Sequence, residues 1–360
     1  MDSSRDITDL TICRFVFAAW VFICFLDRFL HFSLVLGPVS GLVSHGYLGV
    51  DGFFMLSGLV LMHAHREFDV TGMDSLSPVF SWPKWGAVWR FYLRRLGRVY
   101  PVHLVTLLIV LALMLAGLGR GWGGAYGGSW NVPAWVLSYA CAGALLFPLL
   151  AMLLSYFARD VALQISIVMF PVLGVVYYYA GYRLEITSWL GLTRFFPEFI
   201  LGMAMFRMAM VVADYNGVRR FFLWAGVGLT LGGAALSWDI MTIPGLWALI
   251  FACYLQHDAE MKPFFGRLPA MLFLGRLSYC FYMSFALAGM LVYALFLGLG
   301  WRIFGHGLLF ALGVTVITFG LAVLLRGAVE TPCRRLVNVW LHRSMPAENS
   351  PAVPTSHSLF

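Results

Sequence analysis

Charge is what this chain has least of. Asp, Glu, Lys and Arg make up 11% of its 360 residues, against roughly 25% in soluble domains. A water-facing surface needs more charge than that, which excludes a soluble globular protein; a lipid-facing surface does not need it. Lysine is confined to Lys84 and Lys262, so arginine carries almost all the positive charge behind the net +7. No polar or Pro/Ser-rich linker divides the apolar stretches, which excludes a string of separate domains. The six cysteines (Cys13, Cys24, Cys141, Cys253, Cys280 and Cys333) form no CxxC pair and no metal-ligand spacing. Most lie inside apolar runs, where a thiol behaves as a small hydrophobe. The basic charges sit between apolar runs, a pattern of membrane topology that argues against nucleic acid as a partner. The first apolar run is too long for a cleavable signal peptide and has no small-residue cleavage site, so it reads as a first span.

What is present is hydrophobicity. Apolar residues make up 61% of the chain, and the mean hydropathy is +0.83. A helix needs about 20 apolar residues to cross ~30 Å of hydrocarbon. Runs that meet or approach this occupy 10–30, 46–63, 101–118, 133–157, 161–180, 187–206, 221–237, 243–256, 270–298 and 303–325. The expectation is an all-α integral membrane bundle of about ten transmembrane helices over residues 1–343, with a polar cytoplasmic tail over 344–360. Pro148 and Pro197 predict kinks in their helices. The stretch 78–100 mixes Trp and Phe with Lys and Arg, which predicts a helix lying in the membrane interface.

Loop charges set the orientation. Arg66, Lys84, Arg90, Arg94, Arg95 and Arg98 lie between the second and third spans. Arg159, Arg207, Arg219, Arg220, Lys262, Arg267, Arg334, Arg335 and Arg343 fall on the same side, while Arg28, Arg120, Arg183 and Arg302 fall on the other. Positive-inside reasoning then puts both termini in the cytoplasm, and an even number of spans agrees.

Two motifs carry most of the chemistry. In GYLGVDGFFMLSG (46–58) the glycines let neighbouring helices approach closely. Asp51 lies inside that apolar run, where a mid-helix charge costs about 2.5–3.5 kcal/mol and less near the end. It reads as functional, with a helix cap as the alternative. In RRLGRVYP (94–101), Arg94, Arg95 and Arg98 form a cluster suited to bidentate phosphate contacts, with positive-inside anchoring as the alternative.

These motifs, in order with LTICRFVFAAWVF (10–22), RFFPEFILGM (194–203), LGRLSYCFYMSF (274–285) and VETPCRRL (329–336), resemble acyltransferase family three. Its members are bacterial membrane proteins that transfer acyl groups, often acetyl, to extracytoplasmic sugars and other hydroxyls. NVPAWVLSYACAGALLFP (131–148) more loosely resembles the subgroup associated with cellulose synthesis loci. The resemblance implies a bacterial inner-membrane O-acyltransferase with no bound cofactor and acyl-CoA as co-substrate. Its partners would be a glycan or polysaccharide acceptor, the lipid bilayer and a polysaccharide synthase complex. It assigns Arg14, Arg94, Arg95 and Arg98 to the donor, and marks Tyr100, Arg194, Glu198, Ser278, Tyr279 and Glu330 as further motif residues.

The family pairs an Arg with a His eleven residues later on the first span. Eleven steps of 100° come to about 20° beyond three whole turns, so both lie on one face ~16 Å apart. Such a His acts as general base on a sugar hydroxyl. Here Phe25 stands eleven residues after Arg14, Phe285 ends the motif that usually closes on His, and Ala140 stands where an acidic residue is expected. Neither Phe nor Ala carries a proton. Asp51, at about the depth of the missing base, and His45, just before the glycine-rich motif, are therefore the catalytic candidates. His31 lies about 240° further round the first helix unless that helix has ended, and His63, His65 and His103 fall on the cytoplasmic side. Arg194 with Glu198, and Glu330 with Arg334, have the i,i+4 spacing of ion pairs. Two rival functions remain: a catalytically degenerate structural or regulatory subunit of a polysaccharide synthesis or export machine, and a transporter of acyl groups or lipid-linked sugars.

Overall fold

A computed structural model describes residues 8–65, 68, 85–118, 132–157, 161–181, 184, 191–212, 215–255 and 269–344. Among the described residues all regular structure is helical. The first half holds α1 (Thr8–Leu30), the short α2 (Ser40–Ser44), α3 (Gly49–Ala64), α4 (Trp85–Leu115), α5 (Trp135–Ser155) and α6 (Val161–Tyr179). The second half holds α7 (Gly191–Ala209), α8 (Tyr215–Ala235), α9 (Asp239–Tyr254), α10 (Pro269–Gly298), α11 (Gly307–Leu325) and α12 (Thr331–Ser344). A π-helical turn, Arg326–Glu330, joins α11 to α12.

Seven helical segments are long and apolar enough to cross a membrane: α1, Gly37–Ala64, α4, α5, α6, α10 and Gly307–Leu341. The ten expected spans each fall on a helix, but α7, α8 and α9 are outside these seven, and α9 has only 16 residues. The molecule is an all-α membrane bundle with seven such helices among the described residues.

The core is built on close backbone crossings. A Cβ at Gly58 of α3 would strike the Phe199 carbonyl of α7, and one at Gly202 of α7 would strike the Met55 carbonyl of α3. The two helices therefore touch backbone to backbone, as small residues allow in membrane interiors. The motif glycines do the same against α1: a Cβ at Gly49 would lie 2.7 Å from the Phe17 carbonyl, and one at Gly52 would lie 2.6 Å from the Phe17 ring. Helix α7 is the central one, with Phe195, Phe199, Leu201, Met203, Met205 and Phe206 all fully buried. Helices α4, α6 and α11 instead turn Leu108, Ile167, Val175, Leu312 and Val316 outward. This apolar exterior is what a lipid solvent permits.

Three expectations need correction. The interfacial helix over 78–100 and the span over 101–118 are one continuous helix, α4, 31 residues long with Pro101 inside it; residues 78–84 lie outside the described residues. Its arginine-bearing half does not need to lie flat on the membrane, because it packs on α12, where a Cβ at Gly97 would meet Val337. Second, Arg207 and Arg219 are buried helix residues, not loop charges. Arg207 donates to the Phe157 carbonyl, and Arg219 Nη2 lies 3.3 Å from Asp9 Oδ2. A carboxylate or carbonyl partner lets each guanidinium stay out of water. Third, His31 is not on the first helix: it stands just past the end of α1, exposed, with a left-handed φ of 51°. Arg66, Lys84, Arg120, Arg159, Arg183, Lys262, Arg267 and the tail from 345 onward lie outside the described residues.

Candidate active site at the paired ends of the bundle

The first turns of α3, α7 and α9 meet at one end of the bundle, joined by the short helical turns over 40–48. Each brings a charged side chain that is almost completely buried: Asp51 and Asp239 at 0%, Arg194 at 2% and, one turn further on, Glu198 at 0%. Arg194 donates from Nε and Nη2 to the two oxygens of Asp51, and from Nη1 to the Leu184 carbonyl. Its Nε also lies 3.6 Å from Glu198 Oε1. The i,i+4 pair expected on α7 is thus present, but secondary to the α3–α7 pair. Two carboxylates share one guanidinium, and neither Glu198 oxygen has a hydrogen-bond partner among the described residues.

Beside this triad stands a second carboxylate site. Asp239 Oδ2 accepts hydrogen bonds from the Tyr47 hydroxyl at 2.6 Å and the Leu184 amide at 2.8 Å. His45 Nε2 lies 3.6 Å from Asp239 Oδ1. The other ring nitrogen, Nδ1, lies 3.1 Å from the Gly41 carbonyl and 3.1 Å from Ser44 Oγ. Leu184 joins the two sites, its carbonyl to Arg194 and its amide to Asp239. The carboxylate beside His45 is therefore that of Asp239, while both oxygens of Asp51 hold Arg194.

Sequence reasoning passed over Asp239. The signal was available, since an acidic residue between two apolar runs is a functional candidate by default. The Leu184 bridge uses backbone atoms and leaves no mark in the sequence.

Phe25 of α1 and Phe285 of α10 are in contact, with ring centroids 4.8 Å apart. Phe22, Phe29 and Tyr282 complete an aromatic cluster around them. The two positions at which the sequence resemblance leads one to expect an imidazole thus lie in one aromatic cluster.

The opposite end holds the arginines. Arg94, Arg98 and Tyr100 are exposed along α4, whereas Arg95 and, on α1, Arg14 are half-buried. Arg95 Nη2 donates to the Ala140 carbonyl at 3.3 Å. A backbone oxygen of Ala140 therefore meets Arg95 at the residue where an acidic side chain was expected. Tyr279 donates from its hydroxyl to the Val99 carbonyl at 2.6 Å, and Ser278 is buried beside it. Glu330 lies 3.6 Å from Arg334, as its spacing suggested, and accepts from Cys280 Sγ at 3.2 Å. His63 Nδ1 is 2.9 Å from the Tyr254 hydroxyl, and His65 is packed among Phe68, Phe91 and Phe147.

A bundle with an apolar exterior, the Asp51–Arg194 and His45–Asp239 pairs buried at one end and exposed arginines toward the other is a multi-pass membrane protein whose two ends differ in their polar groups. The family model of an acyltransferase domain matches residues 7–327, nearly the whole chain, and the chain belongs to acyltransferase family three. Neither a curated protein nor a solved structure matches it.

Proposed function

We propose that this membrane acyltransferase moves an acetyl group from acetyl-CoA in the cytoplasm to a hydroxyl of an extracytoplasmic glycan or polysaccharide, in a bacterial inner membrane with both chain termini inside. The observation that carries this reading is the separation of the two polar sites. Exposed Arg94 and Arg98 stand in the N-terminal half of α4, away from the buried Asp51–Arg194 and His45–Asp239 pairs at the other end of the bundle. Donor and acceptor on opposite sides of a bilayer call for this division. Arginines offer paired donors to CoA phosphates, and Arg14, half-buried on α1, extends that end inward. The cellulose-like phrase over 131–148 makes a cellulose-type acceptor and a synthase complex the first partners to try. The catalytic unit is taken as 1–343, with 344–360 a cytoplasmic tail.

The test is reconstitution. Purified protein in vesicles, given labelled acetyl-CoA on one face and candidate glycans on the other, should label the glycan. An absence of label with every acceptor tried, in vesicles that bind acetyl-CoA, would remove the reading.

One observation favours a second reading, a structural or regulatory subunit of a polysaccharide machine. Phe25 and Phe285 fill the imidazole positions with a packed apolar pair, an arrangement suited to holding α1 and α10 together without chemistry. Co-purification with a synthase by a chain that transfers no acetyl would support it.

A further inference from the structure

We infer that His45 and Asp239 form the proton-accepting pair of this protein, a general base on the α2–α3 connection with its orienting carboxylate on α9. This rests on the acyl-transfer reading above and adds to it the group that reading lacks.

The placement is a consequence of packing. Gly41 allows the chain to press on the end of α8, where a Cβ would run into the Ala234 carbonyl. The α8–α9 turn, with Ser237 at a φ of 60°, then presents Asp239 on the first turn of α9. His45 and Asp239 are thereby brought together from positions far apart in the chain. His45 is 5% exposed and Asp239 0%, while neighbouring Ser44 is partly exposed.

The hydrogen bonds suit a base. Tyr47 and the Leu184 amide fix one oxygen of Asp239, and the other, Oδ1, has no hydrogen-bond partner among the described residues and faces His45 Nε2 at 3.6 Å. With a proton on Nε2 directed at Asp239, Nδ1 carries the lone pair. Ser44 Oγ, 3.1 Å from Nδ1, marks where a hydroxyl meets that lone pair. The Gly41 carbonyl, also at 3.1 Å, stands ready for a proton on Nδ1. One proton of the imidazolium therefore has the Gly41 carbonyl at hydrogen-bond distance, and the other faces the Asp239 carboxylate across a 3.6 Å charge contact that stabilises the protonated ring.

The step balances as follows. An acceptor hydroxyl in the place of Ser44 Oγ gives its proton to Nδ1, and its oxygen attacks the acyl carbonyl of the thioester donor. The C–O bond forms, the C–S bond breaks, and the CoA thiolate takes the proton back from Nδ1. Asp239 remains ionised and acts as a positioning residue.

No other imidazole described at this end combines these features. His31 is exposed on the connection after α1, and His306 is half-buried, stacked on Trp301, with Nδ1 3.2 Å from the Arg302 carbonyl and no carboxylate ion pair among the described residues.

The experiment uses the full chain in vesicles with acetyl-CoA and a glycan acceptor, comparing wild type, His45→Ala, His45→Gln and Asp239→Asn. Loss of the base lowers kcat by about 10²–10⁴-fold in both His45 variants with KM retained, and added imidazole restores part of the rate to His45→Ala alone. Asp239→Asn lowers kcat by up to about 10⁴-fold, the cost of a lost orienting carboxylate in serine proteases. His45→Gln keeps hydrogen-bonding capacity without a proton acceptor of this kind, so it stays informative if His45→Ala does not fold. An active His45→Gln, or a folded His45→Ala that imidazole does not rescue, overturns the inference. A silent wild type removes the acyl-transfer reading and the base with it. An active wild type matched in rate by a His45 variant removes the base alone.

Discussion

Phe25 and Phe285 meet ring to ring across the α1–α10 contact, 4.8 Å between centroids and 54° between planes. Both are almost fully buried, at 4% and 2% exposure. The sequence resemblance leads one to expect an imidazole at each position, and the two phenylalanines that stand there instead are in contact. A single restored imidazole would find aromatic neighbours on every side that the ring contacts define, including Phe22 and Phe29.

Phe25→His should therefore cost stability and gain no rate. The substitution gives up part of an aromatic pairing worth about 0.5–1.5 kcal/mol and buries a polar ring among Phe side chains, which adds about 1–3 kcal/mol. A lowered unfolding temperature in detergent, with an acetyl-transfer rate no higher than wild type, is the expected result. A faster Phe25→His would mean that the α1 position still faces substrate.

Arg194 gives a sharper stability test. It is the cation between Asp51 and Glu198, and it also caps the Leu184 carbonyl. Removing one partner of a buried pair strands the other charge and costs about 3–5 kcal/mol. Arg194→Met should unfold far more readily than wild type. Arg194→Lys should lie between them, because an ammonium cannot make the forked contact to Asp51. Adding Asp51→Asn to Arg194→Met should recover part of the loss, and thermal unfolding of Arg194→Met, Asp51→Asn and the double variant measures the coupling. Full additivity would show that the ion pair contributes little.

The α3–α7 crossing predicts an effect from a single methyl group. Gly58→Ala and Gly202→Ala each drive a Cβ into a backbone carbonyl of the facing helix, and backbone cannot swing aside as a side chain does. Overpacking costs typically about 1–3 kcal/mol, and here it also moves the helix that carries Arg194. Both variants should give reduced yields of folded protein. Gly228→Ala on α8, where an added Cβ meets nothing within 4 Å, should be tolerated. Equal yields for all three would contradict the crossing.

Seven of the spans were legible because their apolar runs are long enough to declare themselves. The motif glycines were legible because small residues in an apolar stretch have few other uses. What the residues hid was tertiary. The arginines of α4 read as an interfacial segment because nothing in the sequence says that Gly97 sits against Val337. Arg207 and Arg219 read as loop charges because their partners, the Phe157 carbonyl and Asp9, are distant in the chain. His45 was found next to its motif, but the carboxylate it faces, Asp239, is 194 residues away by number (239 − 45) and was not singled out. The absence of the family imidazoles could be read; that their replacements touch could not.

Orientation is tested by labelling. Pro38 and Arg302 are exposed on connections at the end that holds Asp51, and Arg343 is exposed on α12 at the other. In a chain stripped of its six cysteines, Pro38→Cys and Arg302→Cys should react with a membrane-impermeant maleimide in intact cells. Arg343→Cys should react only after lysis. Labelling of Arg343→Cys in intact cells would reverse the proposed orientation and put the Asp51–Arg194 and His45–Asp239 pairs at the cytoplasmic end.

The last prediction separates three arginines that the sequence treats as one cluster. Arg94 and Arg98 are exposed, whereas Arg95 is half-buried and donates to the Ala140 carbonyl. Arg95 holds α4 to α5, so Arg95→Ala should lower thermal stability. Arg94 and Arg98 should leave stability nearly unchanged and act on the donor instead. If they grip CoA phosphates, charge reversal to Glu should abolish acetyl-CoA binding, and Lys should weaken it by roughly 10-fold, about 1.4 kcal/mol, by forfeiting the bidentate contact. Calorimetric titration of acetyl-CoA into wild type, Arg94→Lys, Arg98→Lys and the two Glu variants reads both effects directly. A role confined to membrane topology predicts Lys variants that bind as wild type does. Because binding through exposed charges is screened by salt, the wild-type affinity should also fall as ionic strength rises. An affinity insensitive to salt and to Lys replacement would take the donor away from α4.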